Sequence, residues 1–77
     1  MNQGLKILLE GQGFRQVGKS CEFTLRHDAS EIKSYLFRVW LHRHGGQAEI
    51  MEGNKRIARM ERWNCMDDLY DFFKDFQ

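Results

Sequence analysis

From Cys21 to Arg62 the pattern shifts toward a period of two, clearest in CEFTLRH, whereas the segments on either side follow a helical period near 3.6. That change of period, made twice within 77 residues, restricts the fold more than any other feature. It calls for strands in the middle and a helix at each end. With no proline anywhere, glycines are left to punctuate the chain.

The opening, NQGLKILLEGQGF, sets Leu5, Leu8 and Leu9 at i, i+3 and i+4, with Lys6 and Glu10 spaced for an i,i+4 contact. Gly11 or Gly13 can end this helix in a left-handed cap. It is short and contains Gly4, so packing rather than propensity has to hold it. CEFTLRH then alternates Phe23 and Leu25 with Glu22, Thr24 and Arg26, as a half-buried strand does. DASEIK, residues 28–33, is the connecting loop. LFRVWLHRHGG, residues 36–46, is the longest strand and ends at Gly45-Gly46, a suitable two-residue turn. QAEIME is the third strand, Gly53-Asn54 the second turn and KRIARMER the fourth strand.

In NCMDDLYDFFKDF the helical period returns. Asn64 is the expected N-cap, with Asp67 three residues on in a variant of the capping box. Met66, Leu69, Phe72, Phe73 and Phe76 make one apolar stripe, and Asp68, Asp71 and Asp75 line the opposite side. The expected architecture is α+β, a single domain over residues 1–77. It has a short N-terminal helix, a four-stranded antiparallel meander and a C-terminal amphipathic helix packed on one sheet face.

The two turns divide the sheet into faces. A Gly45-Gly46 turn sets His44 opposite Gln47, His42 opposite Glu49, Leu41 opposite Ile50 and Trp40 opposite Met51. A Gly53-Asn54 turn sets Ile50 opposite Ile57 and Met51 opposite Arg56. One face then carries Phe37, Val39, Leu41, Ile50 and Ile57, ready for the last helix. The other carries Arg38, Trp40, His42, Glu49, Met51, Arg56, Ala58 and Met60.

Composition excludes several classes of protein. Ten aromatics (six Phe, two Tyr, two Trp) can furnish a core in so short a chain. No apolar run approaches membrane-spanning length, and residues 1–19 lack the layout of a signal peptide, so a soluble, cytoplasmic protein with no membrane partner is expected. Cys21 and Cys65 form no metal-binding or redox pattern and read as thiols. The net charge of +1 gives no global field toward nucleic acid, although residues 1–63 hold eleven Lys/Arg against seven Asp/Glu and residues 64–77 one against four.

The candidate chemistry is thin. His42-x-His44 puts two imidazoles on one side of a strand, but a metal centre needs a third or fourth ligand and neither cysteine falls near it. Cys21 and His27 share a strand face yet stand six residues apart, too far for a nucleophile and its base, and Cys65, at a helix start where a thiolate would be stabilised, reads as a half-buried thiol. Asp67, Asp68, Asp71 and Asp75 lie on a helix, which alone rarely wraps a hard cation; the first two suit the helix dipole. Residues 13–20, GFRQVGKS, match the phosphate-loop pattern, but that loop needs a strand before it and a helix after it, the reverse of the order here. No cofactor and no enzymatic activity are expected.

The stretch LKILLEGQGFRQVGKSCEFTLRH resembles the opening of HicA-type toxins and related double-stranded-RNA-binding-like folds: a helix, Gly-Phe, then a strand. The likeness covers about a third of the 77 residues and implies an affinity for RNA. Those toxins carry Gly-Ser-His-His in the loop, where this chain has Lys19-Ser20-Cys21-Glu22, so ribonuclease activity does not carry over.

What remains is the row Arg38, Trp40 and His42 with Met51 and Arg56 beside it. Three readings compete for it: a protein interface, a second small core beneath the first helix, and a surface for RNA or single-stranded DNA. In the last, Trp40 would stack on a base and Arg38, Arg56 and Arg62 would contact phosphate. The near-zero net charge and Glu49 in the patch weigh against nucleic acid. The expected function is therefore a small non-enzymatic module binding a protein partner or a second copy of itself. The acidic side at Asp68, Asp71 and Asp75 is a second docking face.

Overall fold

The computed structural model describes residues 3–77. Helix α1 (Gln3–Gly11) precedes five strands, β1 (Arg15–Gln16), β2 (Glu22–Asp28), β3 (Ser34–His42), β4 (Gly45–Glu52) and β5 (Lys55–Trp63). Helix α2 (Met66–Phe73) follows, with a short 3₁₀ turn over Lys74–Phe76. The strands form one antiparallel meander in the order β1-β2-β3-β4-β5. The α+β architecture is the expected one, with an extra strand.

That strand is β1, where the sequence suggests only a loop. Two residues are too few to show a period. Arg15 pairs with Thr24 and Gln16 with Phe23, and the Val17 N–H extends the ladder to the Glu22 carbonyl at 2.8 Å. Ahead of it, α1 stops in a Schellman motif. Gly13 takes a φ of 100°, its N–H donates to the Glu10 carbonyl, and the Phe14 N–H reaches the Leu9 carbonyl. Leu9 and Phe14 are both buried, so the cap also delivers two core side chains. The phosphate-loop lookalike at residues 13–20 is thus a helix cap followed by a tight hairpin, in which the Ser20 hydroxyl donates to the Val17 carbonyl at 2.6 Å.

The first long hairpin turns at Arg43-His44 rather than at Gly45-Gly46, with His42 opposite Gly45. Neither turn residue has a positive φ; Gly45 does, at 95°, as in a three-residue loop closed by a left-handed glycine. Trp40 accordingly faces Gln47, and Met51 faces Leu36. The partner of Trp40 moves by four residues, an even number, so both faces of β3 and β4 survive the error. The glycine pair answers a different need. A Cβ on Gly45 would collide with the Trp63 carbonyl, and one on Gly46 with the Trp40 carbonyl.

The second hairpin turns at Gly53-Asn54 as expected, with Gly53 alone at positive φ (62°), the pattern of a type II′ turn. Beyond it, β5 carries one extra residue between Arg56 and Ala58 and another between Met60 and Trp63. A bulge reverses the faces of everything that follows. Ile50 therefore meets Ala58 rather than Ile57, and Ala58 and Met60, expected on the open face, turn into the core. Bulges leave no periodic mark, which is why alternation alone misplaces these residues.

Both helices lie on the same side of the sheet. Leu9 and Phe14 share one buried cluster with Phe23, Phe37, Val39, Leu41, Ile50, Trp63, Leu69 and Phe73. Phe73 is the junction: its ring stacks on Phe37 at 4.4 Å and 17°, lies 5.9 Å from Phe14 and 5.2 Å from Phe72. His27 stacks on Phe37 from the β2 side at 5.7 Å, and Tyr35 meets Phe76 edge-on. Trp63 is wholly buried and donates its indole N–H to the Gln47 carbonyl at 2.8 Å, so its polar atom is satisfied. No helix among the described residues is long and apolar enough to cross a membrane.

Two outcomes follow for stability. Phe73→Ala should cost ~3–5 kcal/mol, most of what a domain this small possesses, so urea titration should find it largely unfolded. Gly11→Ala, at a helical glycine with open space around it, should stabilise by ~0.5–1 kcal/mol, whereas Gly46→Ala should destabilise because backbone stands in the way.

Candidate functional site

With both helices on one side, the other side of the sheet is left uncovered. Strand parity assigns to it Glu22, Thr24 and Arg26 from β2, Leu36, Arg38 and Trp40 from β3, Gln47, Glu49 and Met51 from β4, and Arg56 and Arg59 from β5. A second core beneath α1 is therefore ruled out, and the row read from the sequence is an open face.

Arg38 organises it. Its Nε donates to Glu22 Oε2 at 2.8 Å and its Nη1 to Glu49 Oε1 at 2.7 Å, so one guanidinium joins the strands on both sides of its own. Its Cζ sits 4.8 Å from the centre of the Trp40 ring, within reach of a cation–π contact. The Glu22 hydrogen bond, then the attraction of both carboxylates, holds the guanidinium pKa above arginine's ordinary value against the opposing pull of burial. Glu49 is buried and is also 3.8 Å from Arg56. Two acids and two arginines thus compensate one another, and the half-buried Trp40 ring lies beside the Arg38 guanidinium.

The remaining expected site residues are spread more widely. Met51 is half-buried against Leu36, which puts it about 13 Å along the sheet from Trp40 rather than beside it. Arg56 is Met51's partner, as expected. His42 is exposed at the end of β3, away from Glu49; with His44 it borders a surface hollow that Arg43, Gln47 and Arg62 also line. Among the described residues no three His, Cys, Asp or Glu side chains are grouped to hold a metal, and Cys21 and Cys65 are free thiols. The anchoring role of Glu22 was not legible. It depends on the register of β2 against β3, which no tight turn announces.

The acidic helix is divided in use. The N-cap falls on Cys65, one residue later than expected, and Asp68 rather than Asp67 closes it, accepting the Asn64 N–H at 2.8 Å and the Cys65 N–H at 3.4 Å. A thiol is a weak acceptor, so the carboxylate carries the cap. Asp71 is exposed, 3.9 Å from Lys74, and Asp75 is exposed. The Asn64 N–H, and more weakly that of Cys65, lowers the Asp68 pKa below aspartate's ordinary value.

Arg38→Ala strands a buried Glu49 and should cost about 1–3 kcal/mol in chemical denaturation, while Arg38→Met with Glu49→Met should recover much of it. The depressed Asp68 pKa contributes stability that is full above the unfolded aspartate value and is lost as pH falls through the folded one. Asp68→Ala should therefore flatten the acid limb of a melting-temperature profile.

No known protein family matches this chain, and neither a curated protein nor a solved structure shows significant similarity to it.

Proposed function

We propose that the protein is a small, non-enzymatic binding module that engages a protein partner through the open sheet face, with Trp40 and Arg38 at the centre. The observation that carries this reading is the anchored Arg38 with Trp40 beside it on an open face. Trp and Arg are the residue types that most often dominate binding energy at protein interfaces. Here Arg38 is held by two carboxylates before any partner arrives, with Trp40 against it, which lowers the ordering cost of association. Glu49, Gln47, Arg56 and Arg59 give the pair a polar surround, and Leu36 with Met51 offers a second apolar contact at the far end of the face. A cytoplasmic setting suits two free thiols.

The same geometry argues against nucleic acid as the first choice. One face of the Trp40 ring is already taken by Arg38, and the carboxylates of Glu22 and Glu49 stand where a phosphate backbone would pass.

Sedimentation of the pure protein, followed by affinity capture with wild-type and Trp40→Ala baits, tests the reading. The expected result is either a dimer or a discrete captured protein that binds the purified wild type and is lost with Trp40→Ala. Tight binding of random single-stranded RNA at about 50 mM salt, abolished by Trp40→Ala, would instead favour nucleic acid.

A further inference from the structure

Six of the seven arginines fall into two groups; the seventh, Arg15, is exposed on β1 at the opposite edge of the sheet and, among the described residues, also has no carboxylate within ion-pair distance. Arg26, Arg38, Arg56 and Arg59 each face a carboxylate on or beside the open face. Arg43 and Arg62 are exposed, and no carboxylate within ion-pair distance of either is found among the described residues. These two line the same hollow, with His42 and His44 at its rim. The geometry points to a binding site for a phosphate group at this end of the sheet, formed by Arg43, Arg62, His42 and His44.

Three features of the backbone build it. The turn at Arg43-His44 lifts one cation and one imidazole from the end of the β3–β4 hairpin. The second bulge of β5 places Glu61 and Arg62 together opposite Gln47, so the extra residue brings Arg62 to the hollow; bulges commonly re-aim a side chain in this way. Gly46 contributes only backbone to the lining, and the close approach of the Trp40 carbonyl to it holds β3 and β4 together at this end. Trp63, buried and bonded to the Gln47 carbonyl, fixes the end of β5 against β4. The one carboxylate at the hollow, Glu61, is engaged by Arg59 at 3.1 Å.

The donor set selects the ligand class. Two planar guanidiniums and two imidazoles supply more hydrogen-bond donors than a carboxylate can accept, whereas a phosphate group offers three or four oxygens to them. Arg clusters are the usual means by which proteins read phosphorylated groups. The site stands on its own, whatever covers the Trp40 face.

Titration of ¹⁵N-labelled protein with inorganic phosphate, and in a second arm with a phosphoserine peptide, tests it at ionic strength held constant with sodium chloride. Saturable amide shifts confined to Arg43, His44, Gly46, Gln47 and Arg62 are expected. Affinity should fall roughly tenfold in Arg43→Gln/Arg62→Gln, which removes two unpaired surface charges and leaves the fold intact, and should hold within about twofold in Arg59→Gln. Tighter binding of the peptide would identify a phosphorylated protein as the source, and equal binding free phosphate; both support the site. Shifts that fail to saturate, shifts scattered over all basic residues, acetate binding as tightly as phosphate, or a double variant that binds like wild type would overturn it.

Discussion

The stacking of Phe73 on Phe37 is the contact on which the rest of the molecule depends. It joins the last helix to the central strand, and through Phe14 the same ring reaches the segment that follows the first helix. Each aromatic pair adds about 0.5–1.5 kcal/mol beyond the area it buries, and three of them converge on one side chain. A consequence follows for the other side of the sheet. Because both helices are drawn to one face, no described element covers the opposite one, and its middle is occupied by a charged cluster between Trp40 and the Leu36–Met51 pair.

That cluster is more constrained than a solvated surface needs to be. An exposed ion pair on a strand contributes little, but Arg38 holds two carboxylates from two different strands while resting near an indole. The cluster is neutral in itself, so it gives rigidity without drawing counterions. A partner meeting it would find a shaped surface and no large field, which favours complementarity of contacts over electrostatic steering.

Much of this was legible in the sequence, for identifiable reasons. The helical period of Met66, Leu69 and Phe73 and the alternation of Phe37, Val39 and Leu41 each report burial on one side, and those residues are buried. The faces of β3 and β4 came out right even with the turn misplaced, since Gly45-Gly46 is needed for close backbone approach and only looks like a two-residue loop. What could not be read were events of one or two residues: the strand at Arg15–Gln16, the bulges that carry Ala58 and Met60 inward, and the shift of the cap from Asn64 to Cys65. Of the candidate site, Arg38, Trp40 and Arg56 were recognisable from parity alone. Glu22, which anchors Arg38 from β2, was not, because strand parity gives a side and not a neighbour.

The bulges of β5 also bear on how copies of this chain can meet. β5 is an edge strand of nine residues, and a flat edge of that length invites another strand to add on. Two interruptions twist it out of register with any straight partner, and charged side chains, Lys55 and Arg62 among them, stand along it. Lateral growth into a continuous sheet through β5 is thereby discouraged, because the edge offers an added strand no straight, uninterrupted ladder.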